Sequence, residues 1–160
     1  MEMRDRGTIH VGPGEGRALW ISRELVMCKV TSEQTGGAYS LFEISSQPQG
    51  GMPPHIQHRE DECFYVLEGE LQFLVEDRTM SVGVGSLLYV PRGNLHAYDN
   101  LGDKPARMLV IQTPGGLHER FFEELGEPVE DQAAPSITES APGGEKITAT
   151  AAKYGIEILG

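Results

Sequence analysis

Three of the five histidines in this 160-residue chain fall into two short segments rich in other donor atoms. The first reads Pro53-Pro54-His55-Ile56-Gln57-His58-Arg59-Glu60-Asp61-Glu62, and the second runs from Gly85 through Pro91, Gly93 and His96 to Asn100. Side chains two apart on a strand share a face, so His55 and Gln57 point together and His58 points away. A turn over Arg59–Asp61 can return Glu62 on the next strand toward the same interior, with Phe64 and Val66 on its face and Cys63 and Tyr65 outward. His96 follows the Pro91-Arg92-Gly93 turn and can approach from a neighbouring strand. Two imidazoles and a carboxylate converging inside a small barrel are a donor set for a divalent transition metal.

The elements that must position these groups are short strands. Apolar runs at Arg17–Ser22, Glu24–Thr31, Ala38–Ser45, Glu62–Glu68, Glu70–Glu76, Arg78–Val82, Ser86–Val90, Leu95–Asp99 and Ala106–Gln112 read as strands separated by turn residues. Glu62–Glu68 and Glu70–Glu76 flank a Glu68-Gly69 turn and predict a hairpin. The stretch Gln47–Pro54, with three prolines and two glycines, reads as a loop that cannot hold a ladder. The recurrence of turns suggests an all-β sandwich or barrel. After Thr113-Pro114-Gly115-Gly116 the pattern changes: Leu117, Phe121, Phe122 and Leu125 recur at helical spacing, with Gly126 as the stop. A second short helix is expected over about Glu145–Tyr154, ended by Gly155 and followed by the apolar Ile156, Ile158 and Leu159. These helices are expected to cover the barrel. The division is a barrel over residues 1–114 and a helical C-terminal extension over 115–160, with a flexible acidic linker at 127–144.

Glycine and proline together supply 30 of the 160 residues, which argues against a helical bundle. The net charge of −11 disfavours phosphate backbones and anionic lipid surfaces, so neither nucleic acid nor membrane is expected as a partner. Two cysteines make no disulfide framework, no apolar run is long enough to span a bilayer, and MEMRDRGTIH lacks the apolar stretch of a secretion signal. The expectation is a cytoplasmic protein with reduced thiols.

The two histidine segments resemble the paired motifs of the cupin family. Gly85, Pro91, Gly93, His96 and Asn100 meet the second motif in full, and His55, Glu62 and Gly69 meet the first, with Gly50 or Gly51 near its leading glycine. The segments TGGAYSLFEI, EDECFYVLEGEL and AAKYGIEILG are similar to bacterial single-domain cupins of the quercetin 2,3-dioxygenase-like group. The resemblance implies a double-stranded β-helix, or jelly-roll, barrel holding one divalent metal: iron, nickel, manganese, cobalt or zinc. It implies His55, Glu62 and His96 as ligands, and Glu62 as the base toward a flavonol, polyphenol or polyketide-like substrate. Gln57 departs from the family, which has a histidine there. It ligates through its carbonyl oxygen, or it stands back to bond a water or substrate, or a bulge turns His58 inward in its place, or the site is dead. The alternatives to a dioxygenase are a non-redox cyclase or isomerase and a non-catalytic small-molecule-binding barrel. Phe42, Phe64, Phe73, Tyr89, Tyr98 and Met108 can line a pocket or be plain core. His10 and His118 are expected to have no ligand role, and Glu60 and Asp61 to be solvated turn acids. Similar proteins pair as homodimers, which is the expectation here.

Overall fold

The computed structural model describes residues 7–129 and 144–159. Most of the expected linker, residues 130–143, lies outside the described residues. Ten strands lead into the first helix: β1 (Arg17–Ile21), β2 (Glu24–Val30), β3 (Ser40–Ser46), β4 (Gly51–Gln57), β5 (Asp61–Glu68), β6 (Glu70–Val75), β7 (Arg78–Gly83), β8 (Leu87–Val90), β9 (Leu95–Asp99) and β10 (Ala106–Thr113). Then come α1 (Leu117–Leu125), β11 (Glu127–Pro128), α2 (Gly144–Lys153) and β12 (Ile156–Ile158). They form two antiparallel sheets, ordered β11-β1-β2-β3-β10-β5-β8 and β12-β4-β9-β6-β7. This is a jelly-roll of two facing antiparallel sheets with a helical extension.

Alternation builds the interior. In β10 every second residue from Ala106 through Met108 and Val110 to Gln112 is buried, and in β5 Glu62, Phe64 and Val66 are buried while Tyr65 is exposed. The sheets meet through side chains such as Phe64 of β5 and Phe73 of β6, whose ring centroids stand 4.9 Å apart edge to face. Each such buried aromatic contributes ~1.5–3 kcal/mol by leaving water.

Two sequence expectations are corrected. Glu62–Glu68 and Glu70–Glu76 do not form a hairpin. Strand β5 is already flanked by β10 and β8, and β6 by β7 and β9. The single connecting residue, Gly69, is too short for a hairpin loop and turns the chain from one sheet to the other. Its φ of 77° is left-handed, and a Cβ there would lie 3.0 Å from Ala106 Cα. The hairpin is instead β6–β7, closed over Glu76-Asp77 with Val75 opposite Arg78. Nor is Gln47–Pro54 all loop, because β4 begins at Gly51 and runs through both prolines. Proline lacks the N–H a ladder needs, and the β4–β9 register shifts between Met52 and His55 accordingly. Gly51 permits the close approach there, since a Cβ would sit 2.2 Å from the Tyr98 carbonyl oxygen.

The C-terminal residues are woven into the barrel. Strand β12 pairs with β4, placing Ile156 opposite Gln57 and Ile158 opposite His55. Helix α1 buries His118, Phe121, Phe122 and Leu125, and Phe122 meets Phe42 edge to face at 5.1 Å. Its first turn is anchored by Glu119, which accepts hydrogen bonds from the Ser32 amide and the Ser40 hydroxyl. In α2, Ala151 is fully buried, and Lys153 and Tyr154 both bond Glu124 of α1. Among the described residues, no helix is long and apolar enough to cross a membrane.

Candidate metal centre

His55 on β4 and His96 on β9 are direct cross-strand partners, and their ring centroids lie 4.2 Å apart. Glu62 reaches them from β5 in the opposite sheet. Among the described residues, His55, Glu62 and His96 form a buried cluster whose ligand atoms all lie within 4.8 Å of one another.

The hydrogen bonds fix which atoms face inward. His55 Nδ1 donates to the Pro53 carbonyl at 2.9 Å, and His96 Nδ1 donates to the Asn94 carbonyl at 3.1 Å. A carbonyl only accepts, so Nδ1 carries the proton and a neutral ring presents the Nε2 lone pair. His55 Nε2 then faces Gln57 Oε1 at 3.0 Å, and His96 Nε2 faces Glu62 Oε1 at 3.0 Å. With neutral rings acceptor meets acceptor in both contacts, and a second proton on His96 would relieve only the contact with Glu62. Turning the Gln57 amide would only move the conflict, because its Nε2 donates to Glu60 Oε1 at 3.1 Å. A cation among His55 Nε2, His96 Nε2 and Glu62 Oε1 would relieve both contacts, so the residues present fit a divalent metal.

The electrostatics agree. Burial, reinforced by His96, pushes His55 down to about 4 and keeps it neutral. Burial alone would raise the Glu62 carboxyl, but the contact with His96 and the favourable interaction of the anion with the neighbouring imidazoles outweigh it and hold the group at about 2. The second Glu62 oxygen accepts a 2.7 Å bond from Gln112 Nε2. The two motif segments are tied together by the Gly93 amide, which donates to the Gln57 carbonyl at 2.9 Å. Asn100 closes its turn as its type suggests, donating to the Ser46 and Lys104 carbonyls and accepting from the Gly102 amide.

A cavity of about 180 Å³ opens beside the cluster, bordered by His55, Glu62, Phe64, Tyr98, Glu24 and the α1 residues His118 and Phe121. Of the expected pocket residues, Phe64 and Tyr98 face it. Phe42, Phe73 and Met108 are buried in the barrel without bordering it. Tyr89 is a correction: it stands opposite the outward-facing Cys63 and is 56% exposed, because alternation turns it to the outer face. His58 is likewise outside, its Nε2 3.1 Å from Glu157. The β4 irregularity lies upstream, between Met52 and His55, so it does not turn His58 inward.

Glu60 is not a solvated turn acid. It is 1% exposed and accepts from both Gln57 and His118 Nδ1, since α1 packs over the β4–β5 turn. Asp61 does stay near solvent, bonded to the Arg92 backbone and guanidinium. Glu24, Gln112 and the Glu60–His118 pair were not singled out by the sequence reading. For Gln112 the available signal was a polar residue in phase with the buried Met108 and Val110. No local pattern marks His118, whose place depends on how α1 docks.

Residues 42–112 match the family described as Cupin domain. The chain is similar to quercetin 2,3-dioxygenase of Bacillus subtilis (strain 168), with 29% identity over 122 residues, 76% of this chain and 36% of that protein. It is 39% identical over 84 residues to germin-like protein subfamily 2 member 2 of Arabidopsis thaliana, covering 48% of this chain and 38% of that protein. The chain thus spans little more than a third of the length of these relatives. Among solved structures, a predicted oxalate decarboxylase from Thermotoga maritima superposes with a TM-score of 0.62 at 18% identity, over 66% of this chain and 99% of that one. That likeness speaks to the fold alone.

Proposed function

Because this chain carries a cupin domain, we propose that it is a metal-dependent oxidoreductase of the dioxygenase kind, acting on a phenolic or enolic substrate such as a flavonol, polyphenol or polyketide-like ring. The observation that carries the reading is the convergence of His55, His96 and Glu62 in one buried cluster, their ligand atoms all within 4.8 Å of one another. These three would hold one divalent iron, nickel, manganese, cobalt or zinc ion, a two-histidine, one-carboxylate set that leaves positions open for ligands. When bound, such a metal supplies Lewis acidity and sites for substrate and O2.

The chain's own residues supply the rest. Gln112 fixes the Glu62 carboxylate, and the backbone carbonyls of Pro53 and Asn94 fix both ring tautomers. Gln57 is tethered by Glu60 and stands beside the cluster as a neutral oxygen. Phe64, Phe121 and Tyr98 offer an aromatic ring apolar walls. The cavity is smaller than the ~300–1,000 Å³ common for drug-sized ligands, which favours a single ring at the cluster with the remainder reaching toward the mouth. The similarity to quercetin 2,3-dioxygenase supports a polyphenol.

Metal analysis of the purified protein tests this reading. About one divalent ion per chain is expected, lost in His96→Ala, with O2 uptake on a flavonol and polyphenol panel. Zinc without O2 uptake would instead favour a cyclase or isomerase. Failure to bind any divalent metal at micromolar concentration overturns both. We also infer a homodimer. Tyr65, Leu87 and Tyr89 are exposed on one outer face beside the edge strand β8, and a second copy would cover both the face and the edge. Light scattering should give twice the chain mass, and a monomer mass refutes the pairing.

A further inference from the structure

We propose that His118, held by Glu60, is the base that takes the hydroxyl proton from a phenolic or enolic substrate in this cavity. The proposal rests on the metal-enzyme reading above and assigns the proton-accepting role to the C-terminal extension. His118 lies on α1, outside both histidine segments, yet it borders the same cavity as His55 and Glu62. It is 2% exposed, packed against Phe121 and Phe122 with ring centroids 5.7 and 5.0 Å away.

Its hydrogen bonding is that of an oriented base. Nδ1 donates to Glu60 Oε1, so the neutral ring carries its lone pair on Nε2. Among the described residues Nε2 has no hydrogen-bond partner, and the His118 side chain lines the cavity. Glu60 therefore fixes the tautomer, orients the ring and faces the charge that forms when Nε2 is protonated, which is the logic of a carboxylate–imidazole pair. Burial opposes charge on His118, but the Glu60 and Glu62 carboxylates outweigh it and raise its pKa above the ordinary imidazole value.

Glu62 is poorly placed for the same task. One of its oxygens faces His96 and the other accepts from Gln112, so both are already engaged by the cluster. In the proposed step the substrate O–H bond breaks, its electron pair stays on oxygen, and the proton forms an N–H bond at His118 Nε2. The resulting imidazolium is paired with Glu60, and the substrate oxyanion faces the His55, Glu62 and His96 cluster.

The test uses the zinc-loaded full chain under anaerobic conditions, with 4-nitrocatechol as the probe. This is a single ring that suits the cavity and whose visible absorption reports ionisation. Wild type should bind it ionised at a pH below the probe's own first pKa. His118→Gln and Glu60→Gln should each lower the bound ionised fraction about tenfold, with zinc content and thermal midpoint held. Added imidazole should restore ionisation in His118→Ala, which a purely structural role would not allow.

The inference is overturned if the variants ionise the probe as wild type does, if they lose zinc in step with the probe signal, or if zinc-loaded wild type does not bind the probe. In each of those cases the metal content of wild type still stands. Failure of the metal reading shows separately, as a wild-type chain that holds no metal before any probe is added, and it overturns this inference as well.

Discussion

Two buried carboxylates border the same cavity and behave in opposite ways. Glu62 is held at about 2, whereas Glu24 is pushed up to about 7. Burial acts on both in the same direction, raising the pKa. The partners make the difference. Glu62 faces His96, accepts from Gln112 and interacts favourably with His118. Glu24 accepts a 2.7 Å bond from the Tyr98 hydroxyl and is also lowered by the Ser46 hydroxyl, but these neutral partners do not offset burial, and Asp99 adds repulsion. One end of the cavity thus stabilises an anion able to hold a cation, and the other favours a neutral acid. Depth of burial alone would not distinguish them.

The largest expected effect tests the anionic end. Glu62→Gln keeps the shape and removes the charge, so metal affinity by chelator competition should fall more than about 100-fold, beyond the ~10–100-fold typical of residues behind a ligand. Unchanged affinity would show that Glu62 is no ligand and dissolve the contrast.

The neutral end makes a pH prediction. Glu24 has a folded pKa near 7 against an ordinary 4.5. Between these values the folded chain keeps a proton that the unfolded chain has released. Stability is therefore highest below about pH 4.5 with respect to this group, falls as pH rises toward 7, and carries the full penalty of ~3 kcal/mol above it. Glu24→Gln, which retains the acceptor for Tyr98, should flatten this dependence. Urea unfolding at pH 5 and pH 8 measures it, and parallel wild-type and variant profiles would show that Glu24 is ionised like its counterpart.

The smallest effect sharpens the comparison to inward-facing groups. His58→Ala removes an exposed contact to Glu157, so metal content should be unchanged and stability should move by less than ~1 kcal/mol. Loss of metal in this variant would mean that His58 does enter the site.

Much of this architecture was legible in local pattern. Period-two alternation placed Glu62, Phe64 and Val66 inside and Cys63 and Tyr65 outside, and helical spacing with a glycine stop gave α1 its observed bounds, Leu117–Leu125. What misled was locally persuasive chemistry. Two aromatic-rich runs around Glu68-Gly69 suggest a hairpin, but which strands pair depends on the whole sheet order. Pro53 and Pro54 suggest a loop, but the register shift in β4 absorbs their missing donors. Tyr89 sits among motif residues, yet its phase in β8 sends it outward.

The sequence by itself determined the residue types and their phase: short strands of a sandwich or barrel, with His55 and Gln57 on one face and Glu62 in phase with Phe64 and Val66. Those facts follow from alternation and turn spacing, which are local. Only the tertiary structure decided what each buried polar group meets. It set His96 against Glu62, Gln112 behind Glu62, Tyr98 on Glu24, and Glu60 with His118 from a helix 58 residues further along the chain. Those partners come from different strands, sheets and a docked helix. Charge and tautomer depend on the atoms within a few ångströms, which no local sequence pattern specifies.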